Sequence, residues 1–190
     1  PVSLDQVLAL GAGKEKFHAI VDVLTALHSQ TDALDKADDI FSDFKRMLQT
    51  AYEEMEVYTF EGTLELFDYL RDKGIKVVLN TGYNRTTATK LLSKLNWQQG
   101  IHFDLLVTAD DVEKNRPHPD MILFAMDQFG IKDGKTVAKI GDSAIDVEEG
   151  KAARCGLTLG VTTGAQTAAQ IQSAAPDYIL DSLTQLKDLV

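Results

Sequence analysis

Two aspartates, Asp142 and Asp146, lie four residues apart in the stretch KIGDSAIDVEEG, directly after a short apolar run. If Asp146 lies in a helix that begins at Ser143 or Ala144, both carboxylates can converge on one point, where like charges repel. A divalent cation would remove that repulsion, and Mg²⁺ is commonly held by one or two carboxylates together with water and a substrate phosphate. The alternative interpretation is that Asp142 caps the helix and Asp146 is solvated.

A second stretch, NTGYNR, follows an earlier apolar run. Its Thr81 hydroxyl and the backbone N–H groups exposed at Gly82 could donate hydrogen bonds to a phosphate at a strand end that leads into a helix. The alternative is an ordinary turn in which Thr81 or Asn84 caps the next helix.

A third stretch, NRPHPDM, contains Arg116 and two of the four prolines of the chain. Prolines at the entry to a helix are a rigid way to present the arginine before them. A guanidinium group is suited to a bidentate grip on phosphate. The alternative is a solvated arginine before a helix, and the nearby Asp110 and Asp111 are interpreted as loop and capping groups rather than ligands.

The three stretches together predict phosphoryl chemistry, because a hydroxyl donor, a cation and a carboxylate pair describe a phosphate with its magnesium. They follow three successive predicted strands, and open parallel sheets bind ligands beyond the carboxyl ends of their strands. Two rival motifs fail. GAGKEK has glutamate where a phosphate loop needs Ser or Thr, and no strand precedes it. GDSAI lacks the final glycine of a nucleophile elbow, so Ser143 is a poor nucleophile.

The elements that must position these residues fall into two groups. Residues 1–58 carry apolar side chains at helical spacing and have no proline after Pro1, which predicts an all-helical unit. From residue 59 onward, short apolar runs alternate with amphipathic helical segments, and this alternation predicts an α/β fold with a parallel sheet covered on both faces. The predicted strands are residues 76–80, 104–108, 136–140, 157–161 and 177–180.

Composition narrows the classes of partner. The 190 residues include 19 Lys plus Arg against 29 Asp plus Glu, and the formal charge of −10 disfavours nucleic acid. One cysteine excludes an internal disulfide framework, and the four histidines show no metal-ligand spacing. No apolar stretch approaches the roughly 18 residues of a membrane span. With no targeting segment visible at its start, the cytoplasm is the expected location.

The motifs VVLNTGY, DDVEKNRPHPDM and KIGDSAIDVEEG, in this order, resemble motifs two, three and four of the haloacid dehalogenase superfamily of hydrolases. The resemblance covers residues 60–190. Arg-Pro-x-Pro, the Tyr83 that follows Thr-Gly and the helical unit before the core resemble the phosphonoacetaldehyde hydrolase branch and its phosphonatase-like relatives. The resemblance implies a Rossmann-like core at residues 59–190 under a helical cap at residues 1–58. The heptad-like apolar stripe of the cap helices could pair two copies into a homodimer.

The resemblance also implies roles for particular residues. Thr81, with Gly82, and Arg116 would bind the phosphoryl oxygens of a small phosphate ester or phosphonate. Asp142 would coordinate Mg²⁺ directly, and Asp146 would support the metal. In this superfamily an aspartate attacks phosphorus, and water then hydrolyses the aspartyl-phosphate. Lys14 stands in a spacing similar to that of the cap lysine that forms a Schiff base with phosphonoacetaldehyde; the alternative is a solvated lysine near a helix start.

The superfamily's nucleophile belongs to motif one, D-x-D/A-G-T, and no such motif precedes Pro1. In the superfamily the motif-one strand lies at the centre of the sheet, between the strands that end in motifs two and four. We therefore expect that the chain is a fragment or processed form of a longer protein, or that another segment fills this position. The contrasting interpretation is a non-catalytic phosphate-binding protein that retains Thr81, Arg116 and Asp142.

Overall fold

The first elements of the protein are three helices that pack in sequence order. The computed structural model describes residues 2–11, 14, 16–27 and 30–190. The helices are α1 (Leu4–Gly11), α2 (Lys16–Thr25) and α3 (Gln30–Glu54). Helix α1 packs on α2 and α2 on α3, where the Phe17 and Phe41 rings meet edge-on with centroids 5.3 Å apart. The three helices lie within the region whose apolar spacing predicted helices, and residues 55–58 at its end are not helical.

After α3, strands alternate with helices as the sequence predicted. The strands are β1 (Val78–Thr81), β2 (Leu105–Thr108), β3 (Ala138–Gly141), β4 (Leu157–Val161) and β5 (Tyr178–Leu180). The helices are α4 (Thr63–Asp72), α5 (Arg85–Lys94), α6 (Asp120–Gln128), α7 (Ala144–Ala152) and α8 (Ala168–Gln172). The predicted strands begin and end within two residues of the observed ones.

The strands form two parallel sheets, one of β1 and β2 and one in the order β3-β4-β5. Within the described ranges no ladder of hydrogen bonds joins β1 to β3. One cluster of buried apolar side chains nevertheless contains residues from both sheets. It includes Leu66, Phe67, Leu70, Val77, Leu106, Leu159, Leu180 and Leu186. The α/β class with parallel strands is therefore confirmed. Among the described helices, none is both long and apolar enough to span a membrane.

Candidate functional site

Thr81 is the last residue of β1, directly opposite Thr108 at the end of β2. The Tyr83 N–H donates to Thr81 Oγ1 at 3.2 Å, which closes the turn that contains Gly82. Asn84 caps α5, because its Oδ1 accepts from the Thr87 N–H at 2.8 Å. Of the two possible capping residues, Asn84 therefore performs this role. The described residues offer no acceptor for the Thr81 hydroxyl proton, so that group remains able to donate.

Asp110 and Asp111 are loop and capping groups, as predicted. Asp111 Oδ2 accepts from the Thr108 N–H and hydroxyl at 2.7 and 2.8 Å and forms an ion pair with Arg85. Asp110 accepts from the Arg85 backbone N–H at 2.8 Å. Partial burial raises the pKa of Asp111, but the bonds from Arg85 and Thr108 outweigh burial and leave that pKa below its usual range.

The Arg116 side chain is only 8% exposed, so the solvated-arginine interpretation is wrong. Its Nε donates to Glu149 Oε2 at 3.1 Å, and its Nη1 lies 3.0 Å from Asp146 Oδ1. Its Nη2 donates to the backbone oxygen and Oδ1 of Asn80, at 2.8 and 2.6 Å. Three of the five guanidinium N–H groups thus donate hydrogen bonds, and Nη1 forms an ion pair with Asp146. One N–H on Nη1 remains for a ligand, and a bidentate grip would require the exchange of a protein partner.

Asp142 lies in the turn between β3 and α7, and α7 begins at Ala144 after an N-cap at Ser143. Asp142 Oδ2 accepts from the backbone N–H of Ala165 at 2.8 Å, in the loop after β4. The described residues place no donor on its other oxygen, Oδ1. Asp142 therefore does not cap α7 with its side chain and keeps one carboxylate oxygen open.

Asp146 is buried rather than solvated, with a side chain 4% exposed. Its Oδ2 accepts from the Ser143 hydroxyl at 2.6 Å, and its Oδ1 lies 3.1 Å from Lys139 Nζ. The helix packs so closely on β3 that a Cβ at position 141 would lie 2.1 Å from Asp146 Cγ, so only glycine fits there. Both aspartates follow β3 as predicted, but they occupy different environments.

Four charged side chains form a buried charge cluster, which we define as Arg116, Lys139, Asp146 and Glu149. Lys139 Nζ lies 3.1 Å from Asp146 Oδ1 and 2.9 Å from Glu149 Oε2. Two cations face two anions, so the cluster has no formal net charge. Burial raises the pKa of Asp146, but Lys139, Arg116 and the Ser143 hydroxyl outweigh it, so the pKa lies below its usual range. The Asp146 carboxylate is therefore ionised at neutral pH.

The sequence interpretation missed Lys139, Glu149 and Asn80. Two signals could have identified Lys139 and Glu149, whereas Asn80 carries no such signal. Lys139 is a lysine inside an otherwise apolar strand, and lysines are almost never fully buried unless they are paired. Glu149 stands three residues after Asp146, which places both carboxylates on one face of α7. A buried cation and a carboxylate pair on adjacent elements predict an ion-pair network.

The carboxylate oxygens of Asp142 and Asp146 fit a magnesium site only in part. Within the described ranges, no group of three or more His, Cys, Asp or Glu side chains could hold a metal ion by itself. The open Oδ1 of Asp142 suits a hard cation that takes few protein ligands. The Asp146 oxygens are already occupied by Ser143, Lys139 and Arg116, so Asp146 fits a role through water or through these partners.

A cleft of about 460 Å³ opens between α3 and the carboxyl ends of β1 and β2. The Tyr52 and Tyr83 rings meet edge-on in it, with centroids 5.9 Å apart. Burial, followed by the Tyr83 hydrogen bond, raises the pKa of Tyr52 far above its usual range. The charged lining residues are Lys16, Lys45, Lys90, Lys94, Glu53 and Asp110. In a protein of net charge −10, the cleft therefore carries a local positive excess.

Lys14 lies in the helical region, where its Nζ is 2.5 Å from Asp22 Oδ2. It is paired rather than solvated, and it is not among the residues that line the cleft. Lys16 does line the cleft, with Nζ 5.5 Å from the centroid of the Tyr83 ring. Lys14 is therefore paired with Asp22 outside the cleft lining, whereas Lys16 lines the cleft beside Tyr83.

Comparison with known proteins supports the family predicted from the motifs. The model of the haloacid dehalogenase-like hydrolase family matches residues 17–168. The phosphonoacetaldehyde hydrolase of Bordetella pertussis is 26% identical over 216 aligned positions, which cover 97% of this chain and 77% of that protein. The pyrophosphatase PpaX of Halalkalibacterium halodurans is 32% identical over 145 positions, which cover 74% of this chain and 63% of that protein.

A solved structure gives the same fold. The phosphonoacetaldehyde hydrolase-like protein from Oleispira antarctica superposes with a TM-score of 0.82 at 22% identity, covering 99% of this chain and 78% of that one. The likeness extends over the three initial helices as well as the strands. Together with the family match, these findings show that the chain belongs to the haloacid dehalogenase-like hydrolases, as its three motifs predicted, and that its class is that of a hydrolytic enzyme.

Proposed function

We propose that the protein hydrolyses a small phosphate ester or phosphonate with the help of Mg²⁺. The observation that carries this proposal is the placement of the Arg116 guanidinium. It contacts Asn80, which precedes Thr81, and Asp146, which follows Asp142 by four residues. The ends of β1 and β3 and the loop after β2 therefore meet at one guanidinium. Resemblance to a phosphonoacetaldehyde hydrolase supports the choice of substrate class.

Each residue would have a distinct task. The Thr81 hydroxyl and the N–H groups of the turn at Gly82 would donate to the phosphoryl oxygens. The remaining Nη1 N–H of Arg116 would donate to a further oxygen and offset its negative charge. Asp142 Oδ1 would hold Mg²⁺, with Asp146 in support. The metal, when bound, would supply charge neutralisation at the transferring phosphoryl group.

The nucleophile would be an aspartate on a segment outside these 190 residues. Its carboxylate oxygen would form a bond to phosphorus while the leaving group departs, and water would then hydrolyse the aspartyl-phosphate. Among the described residues the strands form two separate sheets, and no ladder joins β1 to β3. An additional parallel strand could pair with both of these edges, which supports this proposal. Asp146, in contrast, is held by three protein partners and is unsuited to nucleophilic attack.

The three initial helices would act as a cap that excludes water and selects the substrate. The lysines of the cleft would raise the local concentration of small anions. For an aldehyde substrate, an uncharged lysine amine would attack the carbonyl carbon, and loss of water would give a Schiff base. Lys14 is the residue favoured by motif spacing, whereas Lys16 is the one that lines the cleft.

Borohydride trapping decides between the two lysines. The protein, extended upstream by a segment with motif one, is incubated with phosphonoacetaldehyde, reduced, digested and analysed by mass spectrometry, with Lys14→Arg and Lys16→Arg variants as matched controls. An adduct at Lys14 supports the motif-based role, and an adduct at Lys16 transfers that role to the cleft lysine. No adduct at either residue, together with phosphate release from a phosphate ester but not from phosphonoacetaldehyde, would indicate ordinary phosphate-ester hydrolysis.

Phosphatase activity tests the function as a whole. Phosphate release from p-nitrophenyl phosphate is measured with Mg²⁺ for the 190-residue chain and for the chain extended upstream by a segment with motif one. We expect turnover from the extended protein only. Equal activity of both would contradict the proposed source of the nucleophile. Phosphate binding without turnover by either protein would instead favour a non-catalytic phosphate-binding protein.

A further inference from the structure

We propose that Glu149 is the positioning residue that holds Arg116 in its ligand-facing orientation, with Lys139 neutralising the carboxylate. This inference rests on the proposed function, in which Arg116 contacts a phosphoryl oxygen. Glu149 lies five residues beyond the start of α7 and has a fully buried side chain. A glutamate in that position needs partners, because carboxylates are almost never buried without them.

Glu149 joins three separate elements through its two oxygens. Oε1 accepts from Asn80 Nδ2 of β1 at 3.0 Å. Oε2 accepts from Arg116 Nε, in the loop before α6, at 3.1 Å and forms an ion pair with Lys139 Nζ of β3 at 2.9 Å. No ladder joins the two sheets within the described residues, so this carboxylate is a polar link between them.

The contacts of Glu149 determine where the free N–H of Arg116 points. A guanidinium group is planar and rigid, so contacts at Nε and Nη2 fix both its plane and its rotation. Glu149 supplies the Nε contact directly. It also bonds Asn80, which supplies both Nη2 contacts. Removal of the Glu149 carboxylate would therefore loosen Arg116 at two of its three nitrogen atoms.

Lys139 is placed to neutralise Glu149 by close packing of α7 on β3. A Cβ at position 150 would lie 2.8 Å from Lys139 Cβ, so glycine at that position lets the helix approach the strand. Because two cations and two anions balance, removal of Glu149 alone leaves an excess buried positive charge. Removal of Glu149 and Lys139 together leaves Arg116 paired with Asp146, and the cluster remains neutral.

The test compares the wild-type chain with the double variant Lys139→Met/Glu149→Gln. The Arg116 Nε–H signal is followed by ¹⁵N NMR, and inorganic phosphate is titrated in the presence of Mg²⁺ by calorimetry. We expect the folded double variant to show a shifted Nε–H signal that exchanges at least about tenfold faster, and a phosphate Kd raised at least about tenfold. Glu148→Gln, at the adjacent exposed position of α7, is the matched control and should leave both readouts unchanged.

An unchanged Nε–H signal and a phosphate Kd within twofold of wild type would overturn the inference. The wild-type protein provides a second measurement that does not depend on folding of the variant. Its Arg116 Nε–H should exchange far more slowly than that of Arg46, whose side chain is 78% exposed. Equal exchange at both arginines would also overturn the inference. Slow Arg116 exchange without any phosphate binding would refute the proposed function while leaving the positioning by Glu149 intact.

Discussion

The two aspartates of KIGDSAIDVEEG should respond very differently to replacement by asparagine, although both are candidate magnesium residues. Asp146→Asn leaves Lys139 and Arg116 facing one buried carboxylate, that of Glu149. Loss of one partner from a buried ion pair costs about 3–5 kcal/mol. In chains of this size each kcal/mol corresponds to a Tm change of about 2–4 °C, so we expect a Tm decrease of roughly 6–20 °C.

Asp142→Asn should decrease the free energy of unfolding much less, because the half-buried Asp142 accepts one hydrogen bond, from Ala165, among the described contacts. The asparagine Oδ1 can retain that bond, so the loss should be about 1 kcal/mol or less. The assay is urea unfolding at pH 7 followed by circular dichroism, with EDTA present so that bound metal does not contribute. Two results would refute the account of the buried charge cluster. One is an equal free energy of unfolding for the Asp146→Asn and Asp142→Asn variants, and the other is a decrease of less than about 1 kcal/mol in that free energy for Asp146→Asn.

Three further predictions concern other parts of the chain. Asp111→Asn should be destabilising at pH 6, because the asparagine loses the ion pair with Arg85. The pKa of Asp111 is lowered, so its contribution is complete above the ordinary carboxyl pKa of about 3.9 and is lost below it. Urea unfolding at pH 3 should therefore show a smaller difference. Gly141→Ala should cost about 1–3 kcal/mol, measured in the same way, because its Cβ would overlap Asp146. Burial raises the pKa of Cys155 to about 11, so iodoacetamide at pH 8 should react roughly 100-fold more slowly than with free cysteine, and the rate should increase up to pH 11.

The strands and the helix starts could be predicted from the sequence because their signals are local. Apolar runs and helical periodicity depend only on neighbouring residues, and the cap at Asn84 depends on a side chain three residues from its partner. Thr81 and Thr108 lie at the carboxyl ends of two paired parallel strands, the edge of the sheet at which the sequence predicted a ligand site. These parts of the prediction needed no knowledge of distant contacts.

The partners of Arg116 could not be predicted in this way, because they depend on which face of α7 packs on which strand. Asn80 and Glu149 are 69 positions apart in the chain, yet their side chains are 3.0 Å apart. The cleft has the same origin, since α3 contributes Tyr52 and the turn after β1 contributes Tyr83. A single sequence records the residue types but not these pairings.

The buried charge cluster changes how loss of function at this site must be interpreted. Arg116 and Asp146 were predicted as ligands of phosphate and metal, yet in the folded chain each is engaged by other protein groups. Because the same side chains stabilise the fold, a variant that loses activity could have lost either the ligand contact or the packing of α7 on β3. Asp142 lies outside the cluster and keeps an open carboxylate oxygen. Asp142→Asn is therefore the substitution for which loss of a Mg²⁺-dependent Tm increase would report on ligand binding rather than on folding.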